Sequence, residues 1–128
     1  MLLVKTILGQ SNISGIGLFT DESIKKGTVV WKYNTTFDHL FTKEEMNQLS
    51  DAAKEQLHKY AYFDEKYGKY LLCGDDARFF NHSDNPNCLD NISDEDISVA
   101  GRDIEKGEEL TCNYKTFYSN LSEHPEIM

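Results

Sequence analysis

The sequence predicts a mainly β domain with one short helix, and three observations carry that reading. Short runs rich in β-branched and aromatic residues recur along the chain, each bounded by Gly, Asp, Asn or Ser. Only one stretch repeats its apolar residues at helical spacing. No linker or low-complexity tract divides the 128 residues, and a hydrophobic content of 39% is enough for a single core.

In chain order, strands are expected at Val4–Leu8, Gly17–Thr20 and Thr28–Tyr33. The helix starts at Thr42, because Thr42 and Glu45 have the spacing of a capping box, in which hydroxyl and carboxylate each satisfy a backbone N–H of the other residue. Met46, Leu49, Ala53 and Leu57 then share one face, read as core, and the helix is expected to end near His58. Strands follow at Tyr60–Phe63 and Lys69–Leu72, joined by a hairpin turn from Asp64 to Gly68, and then at Ile97–Gly101 and Glu109–Leu110. The segments Glu22–Val30 and Arg102–Leu110 echo each other. Each sets an Ile ahead of a Lys-Gly turn and an apolar strand after it, one local device used twice and too short for a solenoid repeat.

With 22 acidic against 13 basic residues and a formal charge of -9, the molecule repels nucleic acid and attracts cations. A Lys-containing basic peptide or protein is therefore the expected partner, with no direct nucleic-acid grip. No apolar run reaches bilayer-spanning length, and the segment from Met1 to Lys5 is too short for a signal peptide, so no membrane partner is expected. Cys73, Cys88 and Cys112 are odd in number and lack zinc-like spacing, which reads as buried reduced thiols without disulfide or structural metal.

The chemistry is concentrated in two pieces. Arg78-Phe79-Phe80-Asn81-His82-Ser83-Asp84-Asn85-Pro86-Asn87 leads two aromatics into a cluster that cannot extend a helix or strand and instead bonds to nearby backbone. Gly107-Glu108-Glu109-Leu110-Thr111-Cys112-Asn113-Tyr114 runs from a turn through a short strand to a phenol that can donate or accept a hydrogen bond. Upstream, the Gly15-Ile16-Gly17 turn frees backbone for close approach to a ligand. A fixed ligand site accounts for all three better than packing does.

These three pieces, in this order, resemble the signature motifs of the SET-domain protein-lysine methyltransferases: G-x-G, then R-F-x-N-H-S-x-x-P-N, then G-E-E-L-T-x-x-Y. The resemblance runs from about residue 4 to residue 118 of a single domain spanning 1–128, with 119–128 as a tail. It implies a β-clip-like fold of several small curled sheets, with a pseudoknot near the C-terminus. It also implies transfer of a methyl group from S-adenosylmethionine to the ε-amine of a protein lysine. Such a displacement needs alignment, desolvation and an uncharged amine rather than a metal or a covalent nucleophile.

Carried onto this chain, the resemblance makes Tyr114 the catalytic tyrosine and Tyr33 a second channel tyrosine. It sets the cofactor against Gly15, Ile16 and Gly17 and against Arg78, Phe79, Asn81 and His82. It adds one tyrosine from the preceding strand, where 60 and 62 share a face by alternation and Tyr60 is chosen over Tyr62. The chain departs from many members in having Asp84 where they have Cys, Asn34 after Tyr33 where they have Gly, and no Cys beyond Tyr114. Phe117 and Tyr118 are therefore expected to cover the adenine or a channel wall. Cys112, two residues before Tyr114, is small enough to allow higher methylation. The alternative is a catalytically silent module that binds a basic peptide. A monomer or homodimer acting in the cytoplasm, or in the nucleus if histones are the substrate, completes the expectation.

Overall fold

The computed structural model describes residues 1–64, 66–90 and 96–114. Among them, ten short strands form four small sheets. β1 (Thr6–Gln10) and β2 (Ile16–Thr20) make an antiparallel hairpin. β3 (Val29–Lys32), β9 (Ile97–Ala100) and β8 (Cys88–Asp90) form an antiparallel sheet in that order. β4 (His39–Phe41), β6 (Lys69–Leu72) and β5 (Tyr62–Asp64) form another. β7 (Asn81–His82) pairs in parallel with β10 (Thr111–Cys112), which brings the two long motifs side by side.

The expected single helix is two. The capping box at Thr42 is present and opens α1 (Lys43–Asn47), but the chain leaves helical geometry at Ser50, whose side chain accepts from the Ala53 N–H and starts α2 (Asp51–Tyr60) afresh. Met46 and Leu57 still bury into one small core with Tyr70, so the apolar stripe has the expected destination while the helix carrying it is broken. A 3-10 turn, Asp76–Phe79, precedes the Asn81 loop. Tyr60 is the last residue of α2 and not part of a strand, because Ala61 turns extended only after it. The alternation argument that put Tyr60 and Tyr62 on one face therefore does not apply. The last expected strand also lies two residues later than Glu109–Leu110, at Thr111–Cys112.

The two echoing segments meet. Ile24 and Ile104 exchange backbone hydrogen bonds of 2.8 Å in both directions, and both side chains are buried in the main core with Leu18, Val30 and Leu110. The repeated device is thus a back-to-back pair that closes the centre of the molecule. Asn87 clamps the C-terminal motif in place. Its side-chain amide donates to the Glu109 carbonyl at 2.8 Å, and its side-chain oxygen accepts from the Thr111 N–H at 2.9 Å. The first is partly buried and the second fully, so they hold β10 beside β7 with little competition from water. Cys73, Cys88 and Cys112 are all buried.

Candidate active site

The Gly15 turn and the Asn81 loop, 65 residues and more apart in sequence, are joined by one amide. The Asn81 side-chain N–H groups reach the carbonyls of Ser14 at 3.0 Å and Ile16 at 3.3 Å, and the Glu109 carboxylate at 2.9 Å. Glu109 in turn accepts from the Ser11 hydroxyl at 2.8 Å. A methyl group at Gly17 would stand 2.5 Å from that carboxylate, so the second glycine of the turn is fixed by close approach. Gly15 has φ +48° and open space around it, which leaves its backbone accessible.

Tyr114 is tied to the same loop at both ends. Its backbone N–H donates to His82 Nδ1 at 3.0 Å, so the proton of that imidazole sits on Nε2, which faces Asp84 at 2.9 Å. Its hydroxyl donates to the Phe80 carbonyl. Burial, with lesser contributions from Cys112 and Glu109, pushes the Tyr114 phenol up to about 12. At neutral pH it is a fixed hydrogen-bonding dipole and not a base.

Two cavities open beside these residues. The wider, about 130 Å³, is lined by Tyr60, Arg78, Phe80 and Tyr114 among others. The narrower, about 30 Å³, is lined by Tyr33, Tyr67, Asp64 and Asp96 among others. Trp31, Tyr62 and Asp90 line both, forming a shared wall. Their placement follows from strand pairing: Trp31 stands opposite Ser98 in the β3–β9 ladder, and Ser98 opposite Asp90 in the β9–β8 ladder. The three side chains thus form one row across the sheet. Trp31 Nε1 and Asp90 Oδ2 are buried and have no hydrogen-bond partner. Burial lifts the Asp90 carboxyl to about 6, with Ser98 opposing, and raises the Tyr62 phenol well above its ordinary value.

Of the residues expected to form the site, Tyr60, Arg78 and Tyr114 line the wide cavity and Tyr33 lines the narrow one. The Arg78 guanidinium donates to the Cys73 carbonyl at 2.9 Å and lies 5.9 Å from the Tyr60 ring centre. Phe79 packs edge-on against Tyr60 and into the core, while its neighbour Phe80 faces the cavity. Gly15, Ile16, Gly17, Asn81 and His82 stand at neither wall but are linked to it through Asn81 and Tyr114. Phe117 and Tyr118 lie outside the described residues. Tyr62 was passed over in favour of Tyr60, and Asp90 and Tyr67 were not anticipated. Alternation from the buried Cys88 would have turned Asp90 inward, because residues 88 and 90 of one strand share a face.

The SET domain family profile matches residues 15–115, and the chain belongs to that family. It is 29% identical to histone-lysine N-methyltransferase 2D of Homo sapiens over 113 residues, 84% of this chain but 2% of that protein. It is 31% identical over 117 residues to histone-lysine N-methyltransferase MEDEA of Arabidopsis thaliana, covering 86% of this chain and 16% of that one. The chain thus spans a small part of these relatives' length. Among solved structures, a humanized Chaetomium thermophilum Polycomb Repressive Complex 2 bound to an inhibitor superposes with TM-score 0.65 at 27% identity, over 94% of this chain and 16% of that one. A ctPRC2 structure bound to S-adenosylmethionine in an autoinhibited conformation superposes with TM-score 0.66 at 24% identity, over 95% and 16%.

Proposed function

We propose that this chain transfers methyl groups from S-adenosylmethionine to the ε-amine of lysine in a protein substrate, with the cofactor in the wide cavity and the lysine side chain entering through the narrow one. The observation that carries this reading is the pair of unequal cavities meeting at the shared wall of Trp31, Tyr62 and Asp90. A lysine needs apolar walls for its methylene stem and acceptors for its ammonium, and Tyr33, Tyr67, Asp64 and Asp96 supply both.

The residues of the wide cavity suit the cofactor. Tyr60, Phe80 and Tyr114 offer aromatic surface for an adenine, and Arg78 carries a positive charge for a carboxylate. S-adenosylmethionine, when bound, supplies a methyl carbon on a positively charged sulfur that leaves without further activation. The protein's part is to aim the amine and exclude water. Tyr114, pinned to His82 and Phe80, keeps its proton and orients the reacting region through its hydroxyl dipole. That the relatives are histone-lysine N-methyltransferases, and that a structural neighbour was solved with S-adenosylmethionine, supports the assignment.

Calorimetric titration of the full chain with S-adenosylmethionine and with its demethylated product tests the cofactor half of the proposal. Binding of both, weakened by Arg78→Ala, is expected. Binding of neither would contradict the assignment, and binding without methyl transfer to any lysine would leave a silent peptide-binding module.

A further inference from the structure

We propose that Asp90 binds the ε-ammonium of the incoming lysine and accepts its proton before methyl transfer. This rests on the methyltransferase reading and adds a base to it. Asp90 Oδ2 is an anomaly of packing: a carboxylate oxygen buried with no donor is costly and needs a reason. Trp31 Nε1, in the same cross-strand row and on the same shared wall, is likewise buried without a partner. That wall separates the narrow cavity from the wide one.

The other carboxylates of the narrow cavity are engaged. Asp64 accepts from the backbone N–H groups of Lys66 at 2.9 Å and Tyr67 at 3.3 Å. Asp96 accepts from the Tyr67 hydroxyl and from Lys66 Nζ, the latter at 3.3 Å. Asp90 alone among these three keeps a buried oxygen without a partner. A primary ammonium arriving along the narrow cavity completes it.

The titratable groups facing Asp90 are Tyr62 from β5, Cys88 from its own strand and Cys112 from β10, all raised by burial and neutral at pH 7. Arg78, which shares the wide cavity, is directed to the Cys73 carbonyl. His58 and Lys59 of α2 also line the wide cavity, but what acts on the Asp90 carboxyl is burial, opposed by Ser98.

In the step proposed, an N–H bond of the lysine ammonium breaks, its electron pair stays on nitrogen, and the proton forms an O–H bond at Asp90. The freed lone pair then forms the N–C bond as the C–S pair departs with sulfur, and the Asp90 proton passes to solvent on product release. A free lysine has a pKa of about 10.4, so only a very small fraction is uncharged at pH 7 and a local acceptor is worth having. Burial brings the Asp90 carboxyl close to the working range for that task.

The test compares the full chain with Asp90→Asn, using core histones and labelled S-adenosylmethionine across pH 5 to 10. Asp90→Asn should lose about 100-fold in kcat/KM at pH 7, measured at saturating S-adenosylmethionine, and recover in part at alkaline pH as lysine loses its own proton. The acid limb near pH 6 should vanish with the carboxylate. A readout independent of turnover is carboxylate NMR of the wild-type protein: one Asp signal should titrate near pH 6 and shift to lower pKa on adding n-butylammonium. An Asp90→Asn variant with wild-type kcat/KM and pH profile, or a signal indifferent to n-butylammonium, overturns the inference alone. A wild-type protein that neither binds S-adenosylmethionine nor transfers methyl overturns the methyltransferase reading and this inference with it.

Discussion

Asn81 shows how much one side chain can organise. Its amide holds two carbonyls of the glycine turn and the carboxylate of Glu109, so three distant stretches depend on it. Asn81→Ala should cost about 1 kcal/mol of stability, since it removes two exposed bonds to the turn and a partly buried one to Glu109, and should weaken S-adenosylmethionine binding by loosening the turn. Chemical denaturation and calorimetry measure the two effects. Asp90 makes the opposite kind of contribution. Its carboxyl rises from 3.8 to about 6 on folding, so the folded state favours the protonated form. That group therefore favours folding most below pH 3.8 and costs stability progressively as pH rises towards about 6, by something on the order of 3 kcal/mol. Asp90→Asn should accordingly melt higher than wild type at pH 8, with the difference shrinking towards pH 4. Thermal melts at the two pH values check this, and an unchanged difference would refute the buried-charge account. Tyr114 and Asn81 stood out in the sequence through their motifs, whereas Asp90 did not, because an unpartnered buried oxygen shows only in three dimensions.

At the scale of elements, local chemistry decided what was readable. The capping box at Thr42 was visible because it is encoded by two residues three apart. The break at Ser50 was encoded just as locally, by a Ser-Asp pair suited to capping a new helix, but the continuous apolar stripe from Met46 to Leu57 masked it. Ser50→Ala should cost about 1 kcal/mol, measurable by denaturant titration, because the Ala53 N–H loses its acceptor. The end of α2 was misjudged for a similar reason. Tyr60 has an aromatic side chain that fits a strand as well as a helix, and the switch occurs at Ala61, a residue with no strand preference. That one-element shift explains why Tyr62 and not Tyr60 occupies the wall between the cavities. The short parallel pair β7–β10 has no pattern of its own, since two-residue strands carry no period, and it is held by Asn87 rather than by propensity.

Over the whole molecule, the mainly β architecture of small sheets was legible from strand-rich segments and their turn residues, while their pairing was not, because it rests on long-range contacts. The Ile24–Ile104 pair shows why: each half of the echo is plain in sequence, but their back-to-back meeting spans 80 residues. The net charge of -9 belongs to this scale too. It should draw a basic substrate to the narrow, carboxylate-lined cavity, so KM for core histones should rise as salt shortens the Debye length from about 10 Å at 0.1 M. Initial rates at low and high potassium chloride, with kcat compared alongside, test that expectation.

The most direct test of the central claim is methyl transfer from labelled S-adenosylmethionine into core histones and whole-cell lysate by the wild-type chain and by Tyr114→Phe, with mass spectrometry on any labelled band. Label on lysine is expected with the wild type, and a loss of at least about 100-fold with Tyr114→Phe, the scale for removing an orienting hydroxyl from a reacting centre. Label that persists undiminished in Tyr114→Phe, or wild-type protein that labels nothing while binding no S-adenosylmethionine, would contradict that claim.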